Sequence, residues 1–263
     1  EDVEETLRWG IQSATIFYEK LARQEKAREV IWHLLEMGDA GDHEAELLAL
    51  LRKLSENRGL VTLLRTSLDK TWDVEDGRFT ELVDLLANEM EEPEQAVALA
   101  ERAVETFAYL DIPHRTLTSL FSVFDDFGDP AQALLNWANA REGEARLEIL
   151  MDRFALLEKR GDHALATQTL EAAADCALDP APLIEKLVSR SWDQEQYEKA
   201  LAWTQTLYTQ LDDPDEQEAC LHRIVDIALD HCAAPEVAES TLDNSSNPQP
   251  ILEKLVQYYL DVE

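Results

Sequence analysis

The residues able to carry chemistry are few in kind and poorly arranged for it. Cys220-Leu-His222 and His231-Cys232 could be drawn as a metal site, but side chains one or two positions apart on a helix point in different directions. The run Asp212-Asp213-Pro214-Asp215-Glu216 lacks the alternating ligands and central glycine of a calcium loop, so it reads as an acidic turn and helix cap. His33, His43, His114 and His163 stand without a nucleophile or metal partner at readable spacing, and the shared context Gly-Asp-His at 41–43 and 161–163 reads as a repeated turn. There is no GxGxxG, no phosphate loop, no HExxH and no GxSxG. No catalytic residue, metal ligand or cofactor site is expected. If Cys220 and Cys232 flank one continuous helix they stand about 18 Å apart, too far for a disulfide, so the three cysteines read as small apolar residues.

The charge says more. The chain has 263 residues with 55 acids against 23 bases, a net charge of −32. Residues 71–140 carry 15 acids and 3 bases, net −12, and residues 193–243 carry 13 and 2, net −11. Residues 1–70 carry 14 and 10, net −4. Such a field repels nucleic acid and anionic membrane and attracts cationic partners. It also serves solubility, and it fits a protein adapted to high salt. No apolar run approaches 18 residues, so no membrane contact is expected within this segment. A first residue of Glu rather than Met suggests an excerpt of a longer protein.

The elements that must position these charges are helices. Glycine (8) and proline (9) are sparse, and long stretches are rich in Ala, Leu, Glu and Gln. The stretches EEPEQAVALAERA (91–103), FDDFGDPAQALLNWANA (124–140), GDHALATQTLEAA (161–173) and EQYEKALAWTQTL (195–207) share one pattern: a polar turn, a small residue, then a small or apolar residue seven positions later. The first small position recurs as Ala27, Leu60, Ala96, Ala133, Ala166, Ala200 and Ala238, at steps of 33 to 38. Positions four and seven beyond each anchor lie on the same helix face, where small residues allow close helix approach and a bulkier one fills the groove. In the fourth copy Leu117, Leu120, Phe121 and Phe124 form the stripe of a preceding helix. Gly128-Asp129-Pro130 then supplies a C-terminal cap, an N-cap and a first-turn proline. Ala133, Trp137 and Ala140 read as its packing face.

A period near 34 with two helices per unit resembles the tetratricopeptide repeat (TPR) family over about residues 9–245. A related Sel1-like or HEAT-like hairpin solenoid is the alternative. The resemblance implies an all-α fold, a right-handed α-solenoid of about seven hairpins plus a terminal helix. The expected repeats are about 9–40, 42–75, 78–112, 114–145, 147–180, 182–214 and 216–247, with a last helix at about 250–261. Together they form a single superhelical domain over 1–263.

It further implies a non-catalytic scaffold whose first helices bind a protein partner. The implied lining includes Glu81, Leu85, Asn88, Glu89, Arg115, Ser122, Asp125, Asp126, Glu148, Glu158, Lys159, Glu185, Trp192 and Asp193. The eight favoured positions are Glu81, Asn88, Glu89, Asp125, Asp126, Glu185, Trp192 and Asp193. A long acidic region of this type is similar to the periplasmic segments of bacterial exopolysaccharide export proteins of the PelB-like kind. That likeness implies a periplasmic location, a polysaccharide-modifying enzyme as partner and a cationic polysaccharide as cargo. A cytoplasmic adaptor is the alternative expectation.

Overall fold

A computed structural model describes residues 3–38 and 40–262 of the chain. Among these residues every regular element is helical, and the 15 α-helices alternate between first and second members of hairpins. The first helices are α1 (Val3–Thr15), α3 (Glu44–Leu54), α5 (Arg78–Asp84), α7 (Asp111–Val123), α9 (Gly143–Arg160), α11 (Ala181–Asp193) and α13 (Pro214–Asp230). The second helices are α2 (Gln24–Glu36), α4 (Asn57–Thr71), α6 (Pro93–Thr106), α8 (Pro130–Asn139), α10 (His163–Cys176), α12 (Tyr197–Gln210) and α14 (Pro235–Thr241). Helix α15 (Gln249–Val262) follows the seventh hairpin. Wider π-type turns extend α1 over Ile16–Lys20 and α5 over Leu85–Glu89.

The chain divides into two compact units, Glu1–Ala133 and Leu134–Glu263, with the division inside α8. Within each, packing runs between elements that are neighbours or next-but-one along the chain, as in a stack whose units each bury one face on the next. A continuous core of Leu, Val, Phe and Ala fills the first unit, and three smaller apolar clusters fill the second.

The repeat resolves into a position. Each of the seven anchors is the fourth residue of its second helix. All seven are buried, five of them completely. The register holds at Leu60 although the residue is large. For six anchors the backbone N–H closes the first helical turn on the N-cap carbonyl, from Ala27 on Arg23 at 3.1 Å to Ala200 on Gln196 at 2.9 Å. Ile31, Leu64, Ala100, Trp137, Leu170 and Thr204, four residues on, are buried as the spacing requires. Seven residues on, Ala103 and Ala173 are buried but Ala140 is exposed. Helix α8 stops at Asn139, so Ala140 falls outside its packing face and Ala138 takes the buried place.

The hairpin turn is also shared. Five residues before the anchor stand Ala22, Ser55, Glu91, Gly161, Glu195 and Ala233, all left-handed, with φ between 49° and 78°. The N–H of the next residue reaches back across the turn: Arg23 to Phe17 O (2.8 Å), Glu56 to Leu51 O (3.0 Å), Glu92 to Leu86 O (2.8 Å), Asp162 to Leu157 O (3.0 Å), Gln196 to Ser191 O (2.8 Å) and Ala234 to Ala228 O (2.9 Å). This left-handed closure satisfies carbonyls that a helix end leaves open. The turn at Gly128 departs from it. Gly128 has no left-handed φ; a Cβ there would meet the Phe121 ring at 2.5 Å, so glycine is required by close approach and not by helix capping. The neighbouring expectation holds, since Asp129 Oδ1 accepts from the Ala131 N–H at 3.0 Å as an N-cap does. The two Gly-Asp-His stretches are not one recurring turn. Residues 41–43 precede the first helix α3, whereas 161–163 open the second helix α10.

Candidate functional site

The first helices in each unit carry a ladder of ion pairs to the neighbouring first helix. In the first unit Lys53 reaches Glu19 at 2.7 Å, Arg78 reaches Glu44 at 2.8 Å, and Arg52 grips Glu81 with Nε and Nη2 at 2.7 and 2.6 Å. In the second, Arg190 meets Glu158 at 2.7 Å, Arg223 meets Glu185 at 2.6 Å, and Lys254 bridges Asp226 and Asp230 at 2.6 and 2.7 Å. The hydrogen bond and charge of Lys53 hold the Glu19 carboxyl below its usual range, and those of Glu19 raise the Lys53 ammonium. The hydrogen bond to Glu81 raises the Arg52 guanidinium.

This ladder sorts the eight favoured residues. Glu81 on α5 and Glu185 on α11 are half-buried and held by Arg52 and Arg223, so their charges are largely matched within the chain. Asn88 and Glu89 are exposed in the turn after α5; Asn88 donates to Asp84 at 2.6 Å and Glu89 accepts from Asn57 at 3.1 Å. Asp125 and Asp126 are exposed but do not lie on α7, which ends at Val123 because its N–H···O=C ladder closes at Phe124 on Leu120 (2.8 Å). They form the turn beyond it. Trp192, 40 % exposed, meets Tyr197 and His231 edge-on at 5.3 and 4.8 Å, while Tyr197 and His231 stack at 4.3 Å. Asp193 ends α11 and is exposed.

Two clefts gather some of these residues. In the first unit a cleft of about 390 Å³ lies between α5 and α7. Its floor is Val83, Ala87, Leu120 and Phe124, and Asp84, Asn88 and Ser119 stand on its walls. In the second unit a cleft of about 480 Å³ brings together Glu158, His163, Glu185, Lys186, Arg190 and Asp193. Arg190 is fixed there by Thr167 Oγ1 at 2.7 Å and the His163 carbonyl at 3.0 Å. Glu81, Glu89, Asp125, Asp126 and Trp192 do not line either cleft. Val83, Ser119, Val123 and Arg190 were missed by the sequence reading. For Ser119, Val123 and Arg190 the signal was present, because they lie three or four residues from Arg115, Leu120 and Asp193; Val83 lies two from Glu81 and Leu85, off their helical step.

Cys220 is buried against α12, its thiol on the Thr204 carbonyl, and burial pushes its pKa up to about 11; Cys176 and Cys232 are half-buried, and no disulfide is present among the described residues. His114 is a core residue, 5 % exposed, with Nε2 2.9 Å from the Ala108 carbonyl. Among the described residues no helix is long and apolar enough to cross a membrane, and no three His, Cys, Asp or Glu side chains gather as a metal site.

No family model and no curated protein matches the chain. Solved structures do. The chain is similar to the structure of Naa15/Naa10 bound to HypK-THB, at 13% identity and TM-score 0.43, over 96% of this chain and 39% of that one. It is similar to PilW, a type IV pilus biogenesis factor, at 16% identity and TM-score 0.25, over 94% and 98%. It is similar to the P58(IPK) TPR domain, at 15% identity and TM-score 0.27, over 96% and 78%. It spans 46% of the Cut9 complex chain that it also matches, at TM-score 0.32.

Proposed function

We propose that the chain is a non-catalytic scaffold that binds a protein partner along the first helices of its hairpins. The observation that carries this reading is the combination found on those helices in the first unit. A preformed cleft with an apolar floor opens between α5 and α7, walled by polar groups that include the exposed Asp84 carboxylate. Apolar clefts with a few placed polar groups are where folded proteins take ligands. The test is a photo-crosslinking residue at Asn88, Glu148 or Ser189 on first helices, or at Glu101 or Glu171 on second helices, in the cells that make the chain. Protein adducts are expected from the first set. Adducts confined to the second set, or none from either, would refute the reading.

The charge distribution favours a second reading. Net charges of −12 over 71–140 and −11 over 193–243 suit a polycation, so the chain would guide a cationic exopolysaccharide and dock an enzyme that modifies it, in the bacterial periplasm. A partly deacetylated amino-sugar polymer, titrated at two ionic strengths, tests this. Binding that weakens steeply with salt supports it, and no binding at low salt removes it.

A further inference from the structure

We infer that the α5–α7 cleft takes a partner segment in which an apolar side chain is followed by Lys or Arg; this rests on the scaffold reading and names the chemistry of its partner. The apolar part follows from the floor. Val83 and Leu120 are 3% and 7% exposed and line an open cleft of about 390 Å³, so the space is held open by packed helices and not by mobile side chains. Val123 continues this surface at the rim and is 68% exposed, an aliphatic group with no cover.

The basic part follows from polarity along the cleft. Arg115 lines it near the start of α7 and Val123 ends the same helix, so the two lie about 12 Å apart at 1.5 Å per residue. Beyond the Val123 end lie Asp125 and Asp126, exposed in the turn, and neither is engaged by a base among the described residues. Asp84, on the wall, is oriented by the Asn88 amide at 2.6 Å. A segment with its apolar side chain on the floor therefore gains most when its Lys or Arg points toward Asp125 and Asp126. The two carboxylates alone would not select a ligand; the exposed Val123 beside them, at the rim of the cleft, does.

The experiment uses the whole chain and three fluorescein-labelled ten-residue peptides identical except for the core sequences Leu-Gly-Lys-Lys, Ala-Gly-Lys-Lys and Leu-Gly-Glu-Glu. Fluorescence anisotropy at 50 and 300 mM NaCl gives the affinities. The first peptide is expected to bind about tenfold more tightly than either other, with its advantage over the glutamate peptide shrinking at high salt. Val123→Asp and the double change Asp125→Asn with Asp126→Asn, all at exposed positions, are each expected to weaken it severalfold, while Glu171→Gln on the second helix α10 leaves it unchanged. Equal binding of the leucine and alanine peptides overturns the inference, as does indifference to Val123→Asp. So does binding of an amino-sugar polymer without any of the peptides. In each of these cases crosslinks from the first helices would leave the scaffold reading standing, and their absence would remove both.

Discussion

Ala22 and Ala233 hold a residue type that their backbone disfavours, and this can be measured. Their φ values are 51° and 49°, in the left-handed region where an L side chain crowds the following carbonyl. That crowding costs about 1–2 kcal/mol for a residue other than glycine. Both methyl groups are exposed, so replacing them with glycine loses no packing. Glycine gives back about 0.4–1 kcal/mol through the greater freedom of its unfolded chain. The net expectation for Ala22→Gly, and separately for Ala233→Gly, is stabilisation by about 0.5–1 kcal/mol.

Native-state hydrogen exchange reads this locally, because the Arg23 and Ala234 amides donate the bonds that close these turns, at 2.8 and 2.9 Å. Each should exchange about two- to fivefold more slowly in its variant, the factor equivalent to that free energy. Gly161→Ala is the mirror experiment. Gly161 has φ 78° and open space around the added Cβ, so the loss there is conformational, about 1 kcal/mol, and the Asp162 amide should exchange faster. If Ala22→Gly and Ala233→Gly both speed exchange, the turns are not strained and the reasoning fails.

Other expectations follow from individual contacts. Gly128→Ala should destabilise the first unit by about 1–3 kcal/mol, since its Cβ would stand 2.5 Å from the Phe121 ring; urea unfolding followed by circular dichroism measures it. Glu218 accepts from the Ser245 hydroxyl, the Ser246 N–H at 2.8 Å and the Ser246 hydroxyl at 3.0 Å, and these bonds, Ser245 first, lower its pKa from 4.5. A lowered folded-state pKa means stability that is fully present above 4.5 and lost as the pH falls through the folded value. The Ser246 amide should therefore lose protection only in acid below that range, and Glu218→Gln should remove the pH dependence. Cys220, held near pKa 11 against the ordinary 9.0, should have roughly a hundredth of the thiolate of a free cysteine at pH 8. Alkylation there should be slowest of the three cysteines by mass spectrometry.

The spacing of small residues was enough to find the second helices, because burial at the helix–helix contact allows few side chains. The anchors of all seven fall at one position of one element. The turns were less readable. Ala, Ser and Glu are poor signals for a left-handed residue, and here the geometry is fixed by backbone bonds that leave no mark in the sequence. Gly128 reads as a helix cap in the fourth copy, yet it is the turn that differs, its letter answering to Phe121. At the candidate site, acids were so frequent that sequence alone could not separate Glu81 and Glu185, matched by arginines 29 and 38 residues away, from Asp125 and Asp126. The cleft was illegible for another reason: a concavity is a property of two helices and not of either one.

The ion-pair ladder also bears on how the hairpins find their order. Within a unit, hairpins of similar backbone could pair with the wrong neighbour during folding and bury comparable apolar area. In five of the six pairings the base stands on the later helix and the acid on the earlier one, at Glu19–Lys53, Glu44–Arg78, Glu158–Arg190, Glu185–Arg223 and Asp226–Lys254. Each exposed pair is worth only about 0.2–1 kcal/mol, too little to hold the fold. A hairpin packed in reverse would instead set carboxylates against carboxylates in a chain with 55 of them. The charges act as an arrow repeated along each unit, telling each hairpin which of its sides faces the one before it.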